Sequence, residues 1–119
     1  MPLQLSTRNK GGAVIVDCSG RLVHGEETSA LREMVGNLIS QHRQIVLNFA
    51  DVTYMDSSGL GLLVSLHASA QKAGAVIKLA ALNANIEDLL QLTRVAMVLE
   101  IAKSADEAAA SFAVATALP

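Results

Sequence analysis

The sequence predicts an α/β fold, with one domain built on a mixed β-sheet that has an N-terminal hairpin, parallel central strands and about four helices. Short apolar runs rich in β-branched residues alternate with longer segments in which apolar residues recur every three or four positions. The 119 residues contain no internal repeat and no low-complexity linker, and this length is typical of a single domain. We therefore expect one domain over residues 1–119, with a core of about residues 3–112 and a frayed tail over 113–119.

The first elements are expected to form the hairpin. From Leu3 onward apolar and polar residues alternate, and the glycine pair 11–12 is typical of a tight turn before the apolar run Ala13–Cys18. A short extended piece, Gly20–Leu22, is expected next.

A helix is predicted from Glu26 to about Gln41. Its apolar residues are spaced so that they share one face: Leu31, Met34, Val35, Leu38 and Ile39. Acidic residues at its start, Glu26 and Glu27, and basic residues at its end, His42 and Arg43, suit the helix dipole.

A strand, helix and strand follow. The run Gln44–Phe49 is typical of a strand buried on both faces, and we expect it to be a central parallel strand. A polar loop is predicted over Ala50–Ser58, then a helix over Leu60–Ala73 ended by Gly74, then a strand over Val76–Leu79. The helix is expected to pack through Leu60, Leu63, Val64, His67 and Ala70. Such a crossover places its two strands parallel in one sheet.

The last elements are shorter. Asn85 is predicted to cap a helix over Ile86–Leu92, and Leu99–Ile101 is predicted to be a strand. The segment Ser104–Glu107 fits a capping box, which predicts an alanine-rich helix to about Phe112.

Composition excludes several classes of function. The formal net charge is −2 and the basic residues are scattered, so no direct binding of nucleic acid is expected. No apolar run approaches the roughly 20 residues that cross a bilayer, and no signal peptide is recognisable, so we expect a soluble, cytoplasmic protein without membrane association. Cys18 is the only cysteine and is expected to be a buried, inert thiol. No cofactor and no metal site are predicted.

The informative stretch is Asp56-Ser57-Ser58-Gly59, which places a carboxylate and two hydroxyls where a parallel strand leads into a helix. Ligands of open α/β sheets bind at the carboxyl ends of the strands. Taken alone, the same residues are also typical of an ordinary helix N-cap.

Enzymatic alternatives fit this stretch poorly. The dinucleotide fingerprint lacks its third glycine at Val64, and the phosphate-loop pattern lacks its lysine. A serine hydrolase elbow needs glycines two positions before and after the nucleophile, and neither Ser57 nor Ser58 has both. His24, His42 and His67 show no spacing typical of a catalytic base or a zinc site. We therefore expect that the chain is not an enzyme. A small serine hydrolase or nucleotide-processing enzyme is the alternative from a different class of function.

The stretch suits a group that is itself modified. A phosphate on a hydroxyl at a helix start would face unpaired backbone amides and the positive end of the helix dipole, so the fold would tolerate it. It would add about −1.5 to −2 charge beside Asp56, which is enough to repel a tightly packed partner.

The segment Met55–Gly61 resembles the signature of anti-sigma factor antagonists, which are members of the STAS domain class. The phrases Gly20-Arg21-Leu22 and Ser104–Ala108 are also similar to this family, and the resemblance extends from about Leu3 to Phe112.

This resemblance implies a function. In the family, an unphosphorylated antagonist binds a serine kinase that otherwise sequesters a sigma factor, and the residue corresponding to Ser58 accepts a phosphate that ends the binding. By the same resemblance Asp56 supports the loop, Ser57 lies in the kinase contact and Gly59 permits close approach, while Leu60 and Gly61 begin the contact helix. The implied partners are a serine-kinase anti-sigma factor and a phosphatase, and the chain is expected as a monomer or weak homodimer. Alternatives within the family are a scaffold subunit of a stress-sensing complex or a lipid transporter.

Two positions depart from the family pattern. Val23 stands where an acidic residue is frequent, and Arg94 stands where glycine is frequent in a turn. After Arg94, three apolar residues are expected either to form an exposed contact or to lie buried under the sheet: Val95, Met97 and Val98.

Overall fold

In the computed structural model the backbone is described for residues 3–117 and the side chains for residues 3–112. The elements in chain order are β1 Gln4–Lys10, β2 Ala13–Leu22, α1 Glu26–Ile39, β3 Gln44–Met55, α2 Ser57–Ala73, β4 Val76–Ala80, α3 Ala84–Leu92, a 3-10 turn Val95–Met97, β5 Glu100–Ala102 and α4 Ala105–Ala117. The side chains of the tail predicted to fray, residues 113–119, lie outside this description.

One sheet organises the described residues, with its strands in the order β1-β2-β3-β4-β5. β1 pairs antiparallel with β2, and the other neighbouring pairs are parallel. The turn between β1 and β2 has positive φ at both Gly11 (57°) and Gly12 (88°), which is the geometry that a type I′ hairpin turn requires. The predicted α/β class, the hairpin and the parallel central strands are confirmed.

Two strands are longer than the sequence predicted. β2 runs without interruption to Leu22, with register irregularities between Asp17 and Ser19 and between Gly20 and Arg21. β3 continues to Met55 through residues predicted as a polar loop, so that prediction was wrong over residues 50–55. The reason is main-chain pairing with the second half of β2, because ladder hydrogen bonds form whatever the polarity of the outward side chains.

Helix ends and faces also needed correction. His42 and Arg43 lie beyond the end of α1, whose last turn contains no basic residue. α2 begins at Ser57, ahead of the predicted Leu60, and ends as predicted at Gly74. Its buried residues are Gly59, Leu62, Leu63, Leu66 and Ala70, so the face predicted from the sequence was turned by about one residue and Val64 is 41% exposed. The earlier start lets Gly59 join the buried face.

The cap of α3 is Asn83, and the prediction of Asn85 was wrong. The Asn83 side chain accepts a hydrogen bond from the Ile86 amide at 2.9 Å and donates to the Val52 carbonyl at 3.2 Å. This second bond ties α3 to β3, which local sequence could not reveal. β5 begins one residue later than predicted, and the Ser104 hydroxyl accepts from the Glu107 amide at 3.1 Å, as the capping box predicts.

The core has two parts, one on each face of the sheet. The larger part packs α1, α2 and α3 against residues such as Val16, Leu47 and Phe49. The smaller part packs α4 against Ile15 and Val46 through alanines and Phe112. Over the described residues, none of the helices combines the length and apolar character that spanning a bilayer requires.

Candidate functional site

The segment Asp56–Gly61 lies at the carboxyl end of β3, where the chain enters α2. Leu22 at the end of β2 is the register partner of Met55 at the end of β3. The loop that follows β2, Val23–Gly25, therefore lies beside the first turn of α2.

Asp56 is the N-cap of α2 and joins this turn to the neighbouring loop. Its Oδ1 accepts a hydrogen bond from the Gly59 amide at 3.0 Å, and its Oδ2 accepts one from the His24 amide at 3.0 Å. The main-chain bonds from His24, then from Gly59, and a weaker one from Ser58, hold the pKa of the Asp56 carboxyl below its usual value against a smaller opposing effect of desolvation. The carboxylate is thus ionised and held in place, and it ties the first turn of α2 to the loop after β2.

This arrangement changes one expectation. The sequence led us to expect unpaired amides facing a phosphate on Ser58, but Asp56 already binds the Gly59 amide and interacts with the amide of Ser58. A phosphate at that position would therefore lie next to a carboxylate that already interacts with the nearby amides of Gly59 and Ser58. Its charge would be directed towards solvent or towards a docked partner.

The two hydroxyl residues differ in exposure. Ser57 is exposed and Ser58 is half-buried, both within the first turn of α2. Leu60 is half-buried and packs against the core, whereas Gly61 is exposed with nothing within 4 Å of the position a Cβ would take. The outward face at the start of α2 therefore consists of small side chains, and a partner surface could approach its backbone closely.

Gly59 lies in the interior of the domain, where α2 packs closely against the end of β2. A Cβ at this position would lie 2.6 Å from Met55 Cγ and 2.7 Å from the Leu22 carbonyl oxygen. Real Cβ atoms do not approach other atoms so closely, so only glycine lets α2 start against the end of β2. The close approach that the family resemblance implied for Gly59 is, in this structure, an approach within the chain.

His24 is the site residue that sequence reasoning missed. The sequence showed for it only the lack of a spacing typical of a catalytic base or a zinc site, yet its amide binds Asp56 across 32 positions of sequence. A signal did exist, because Gly20-Arg21-Leu22 ends a strand parallel to β3, and the carboxyl ends of parallel strands lie at one edge of a sheet.

Arg94 adopts φ 64°, in the left-handed region that glycine favours. The family resemblance implies a glycine at this position, and this left-handed conformation suits that residue. After it, Val95 is buried, whereas Met97 is 81% and Val98 50% exposed, so both readings of this apolar segment were partly right. These residues precede the amino end of β5, at the opposite edge of the sheet from Asp56.

Enzymatic readings gain no geometric support. Among the side chains of residues 3–112, no hydrogen bond joins a histidine to Ser57 or Ser58. In the same part of the chain, no group of His, Cys, Asp and Glu is arranged to hold a metal ion. Cys18 is 2% exposed, which confirms the buried thiol that the sequence predicted, and burial raises the pKa of this thiol to about 12.

Comparison with known proteins identifies the family. The family model described as the STAS domain matches residues 4–108. A protein of Paenibacillus polymyxa named anti-sigma F factor antagonist is 31% identical over 96 residues, which cover 78% of this chain and 80% of the relative.

Solved structures share the fold. A putative anti-sigma factor antagonist of Thermotoga maritima superposes with a TM-score of 0.80 at 24% identity, over 87% of this chain and 90% of that one. The Bacillus cell fate determinant SpoIIAA in its phosphorylated form superposes with a TM-score of 0.67 at 21% identity, over 89% and 95%. Since the family model matches most of its length, the chain belongs to the STAS domain family.

Proposed function

We propose that this protein is an anti-sigma factor antagonist whose binding is switched by phosphorylation. The unphosphorylated chain binds a serine-kinase anti-sigma factor and so releases a sigma factor. The kinase then transfers a phosphate to Ser58, which ends the binding, and a phosphatase restores the first state. The observation that carries the proposal is the turn Asp56–Gly61, which offers a hydroxyl beside a fixed carboxylate at the exposed start of α2.

The relatives support the proposal. The Paenibacillus polymyxa protein, which is named an anti-sigma F factor antagonist, matches about four-fifths of its own length to this chain. The SpoIIAA structure is, by its description, a phosphorylated form of that protein. A protein with the same fold therefore carries a phosphate. This supports our proposal that Ser58 of this chain is phosphorylated.

The transfer requires little chemistry from this chain. The Ser58 Oγ attacks the γ-phosphorus of ATP held by the kinase, the bond from that phosphorus to the ADP oxygen breaks, and the hydroxyl proton passes to a base of the kinase. The antagonist supplies a positioned acceptor. Asp56 fixes the first turn of α2 through the Gly59 amide, so Ser58 is presented on a regular helix and not on a mobile loop.

The switch follows from charge. Phosphorylation adds about −1.5 to −2 charge next to the Asp56 carboxylate, and that carboxylate already occupies the nearby amides. The amides at the start of α2 therefore do not neutralise the new charge, which acts on the surface that is docked against this turn. Like charges brought together in an interface cost several kcal/mol, which corresponds to about a hundredfold loss of affinity or more.

Ser58→Ala and Ser57→Ala form the matched pair that tests the proposal. Each protein is mixed with the cognate kinase and ATP, the phosphate is mapped by mass spectrometry, and binding to the kinase is measured by calorimetry before and after the reaction. We expect one phosphate on Ser58, its loss in Ser58→Ala, its retention in Ser57→Ala, and weak binding only for the phosphorylated protein.

Two results would contradict the proposal. A phosphate that maps to Ser57, or no phosphate at all, would remove Ser58 as the acceptor. Binding that is equally tight with and without the phosphate would favour the scaffold alternative, in which the domain assembles a complex without being switched.

A further inference from the structure

The loop after β2 brings the backbone of His24 to the turn that carries Ser58. The His24 amide donates to Asp56 Oδ2 at 3.0 Å, while the other oxygen of the same carboxylate binds the Gly59 amide at 3.0 Å. Residue 24 and the first turn of α2 are therefore separated by a single carboxylate group. The His24 side chain is exposed, and attraction between it and Asp56 contributes to the low pKa of that carboxyl.

We propose that His24 is the positioning residue for the phosphorylated state: its protonated imidazole pairs with the phosphate on Ser58 and holds that phosphate in one orientation. This inference rests on the proposed function, because it concerns the phosphorylated form. It adds a residue and a sensitivity to pH that the proposed switch does not by itself contain.

The charges around the turn explain why a cation is needed there. A phosphate on Ser58 lies beside the ionised Asp56, and the amides of Gly59 and Ser58 already interact with that carboxylate. The N-terminal dipole of α2 is thus partly neutralised by its own cap. An imidazolium from the neighbouring loop compensates the added charge without disturbing the cap, because the bond from residue 24 to Asp56 is donated by the main chain.

The elements next to His24 contribute further charged groups, which are two carboxylates from α1 and one guanidinium from β2. From α1, Glu26 lies in the first turn, and a Glu27 carboxylate oxygen lies 3.7 Å from the position that a Gly25 Cβ would take. From β2, the Arg21 guanidinium lies 5.3 Å from the centre of the Tyr54 ring. The carboxylates compete for the imidazolium, and a phosphate dianion carries more charge than either of them.

A consequence is that the phosphorylated form responds to pH. The pairing is strongest where the imidazole is protonated and the phosphate is a dianion, because each charge then stabilises the other. At alkaline pH the imidazole loses its proton, the pairing is lost, and the phosphate is exposed to a phosphatase or a partner without its cation.

The test uses phosphoserine installed at position 58 during translation, so that no kinase is needed. The ³¹P resonance is followed from pH 4.5 to 8.5 in the full chain, in His24→Gln and in the matched control His42→Gln. An imidazolium lowers the apparent pKa of a nearby phosphate, so we expect its midpoint in His24→Gln to lie about half a unit to one unit above that of the parent protein. We expect His42→Gln to titrate like the parent, because His42 lies before β3, at the opposite edge of the sheet.

A second measurement separates pairing from a general change in fold. The ¹⁵N shifts of the His24 ring should move on phosphorylation of Ser58 and should move less when the phosphoserine is placed at Ser57. The inference is wrong if the phosphate titrates in His24→Gln as it does in the parent protein and if the ¹⁵N shifts of the His24 ring in the parent do not change on phosphorylation of Ser58. The phosphate is installed without the kinase, so this outcome would not contradict the proposed function. Conversely, a failure of the kinase to modify Ser58 would contradict the proposed function and would not change the result for His24.

Discussion

Replacing Gly59 by alanine should destabilise the domain, although alanine is the better helix former. The added Cβ would meet the Leu22 carbonyl oxygen at 2.7 Å, about 0.7 Å closer than the 3.4 Å at which ordinary contact begins. Main-chain atoms of β2 cannot move aside cheaply, and inserting a group into a packed site costs about 1–3 kcal/mol. The gain in helix propensity of about 1 kcal/mol offsets part of this cost, so we expect a net loss of up to about 2 kcal/mol.

Gly61→Ala is the matched control, because Gly61 is in the same helix with nothing within 4 Å of its would-be Cβ. The control should gain about 0.5–1 kcal/mol from propensity alone. Urea unfolding followed by circular dichroism measures both free energies of unfolding. Equal changes in the two variants would refute the reasoning, since they would mean that the space around Gly59 does not matter.

Three further predictions concern other parts of the molecule. Arg94→Gly should raise the free energy of unfolding by about 1 kcal/mol, measured in urea, because the left-handed φ of 64° strains a residue with a Cβ; a loss of stability would show that the Arg94 side chain matters more. The folded-state pKa of Asp56 is lowered, so its stabilising contribution is present above the usual carboxyl pKa of 3.8 and is lost as the pH falls through the folded-state value. Asp56→Asn should therefore show a weaker decline of stability in acid than the parent, and an identical decline would contradict this. Cys18 should react with iodoacetamide only at the rate of unfolding, since it is 2% exposed with a thiol pKa of about 12, and rapid labelling of the folded chain would disprove its burial.

The order of elements could be predicted because it depends on local patterns. The stripe of α1, the buried run at the start of β3 and the glycines at 11–12 and 74 each determine their element over a few residues, and the structure confirms them. The polar continuation of β3 could not be predicted, because its ladder is formed with a strand about 30 residues earlier. The same holds for Asn83, whose preference over Asn85 depends on a carbonyl of β3.

The candidate site shows the same division. Local sequence was sufficient to predict a helix N-cap at this stretch, and the family resemblance pointed to Ser58 as the phosphate acceptor. It could not show that Gly59 packs against Leu22, or that the His24 amide completes the partners of Asp56, since both contacts cross more than 30 positions of the chain. Residues that position a site from a neighbouring strand are therefore the ones that a reading of one segment misses.

The unequal cover of the sheet has a consequence for how the molecule opens. One face lies under three helices, whereas the other lies under α4, whose buried residues up to Phe112 include three alanines, Ala105, Ala108 and Ala109. Small side chains bury little apolar area, so detaching α4 costs less than separating α2 from the sheet. Local fluctuations should follow this difference, and the amides of α4 should exchange with deuterium before those of the central strands. The turn that carries Ser58 lies on the well-covered face, so transient opening of α4 leaves the geometry of that turn intact.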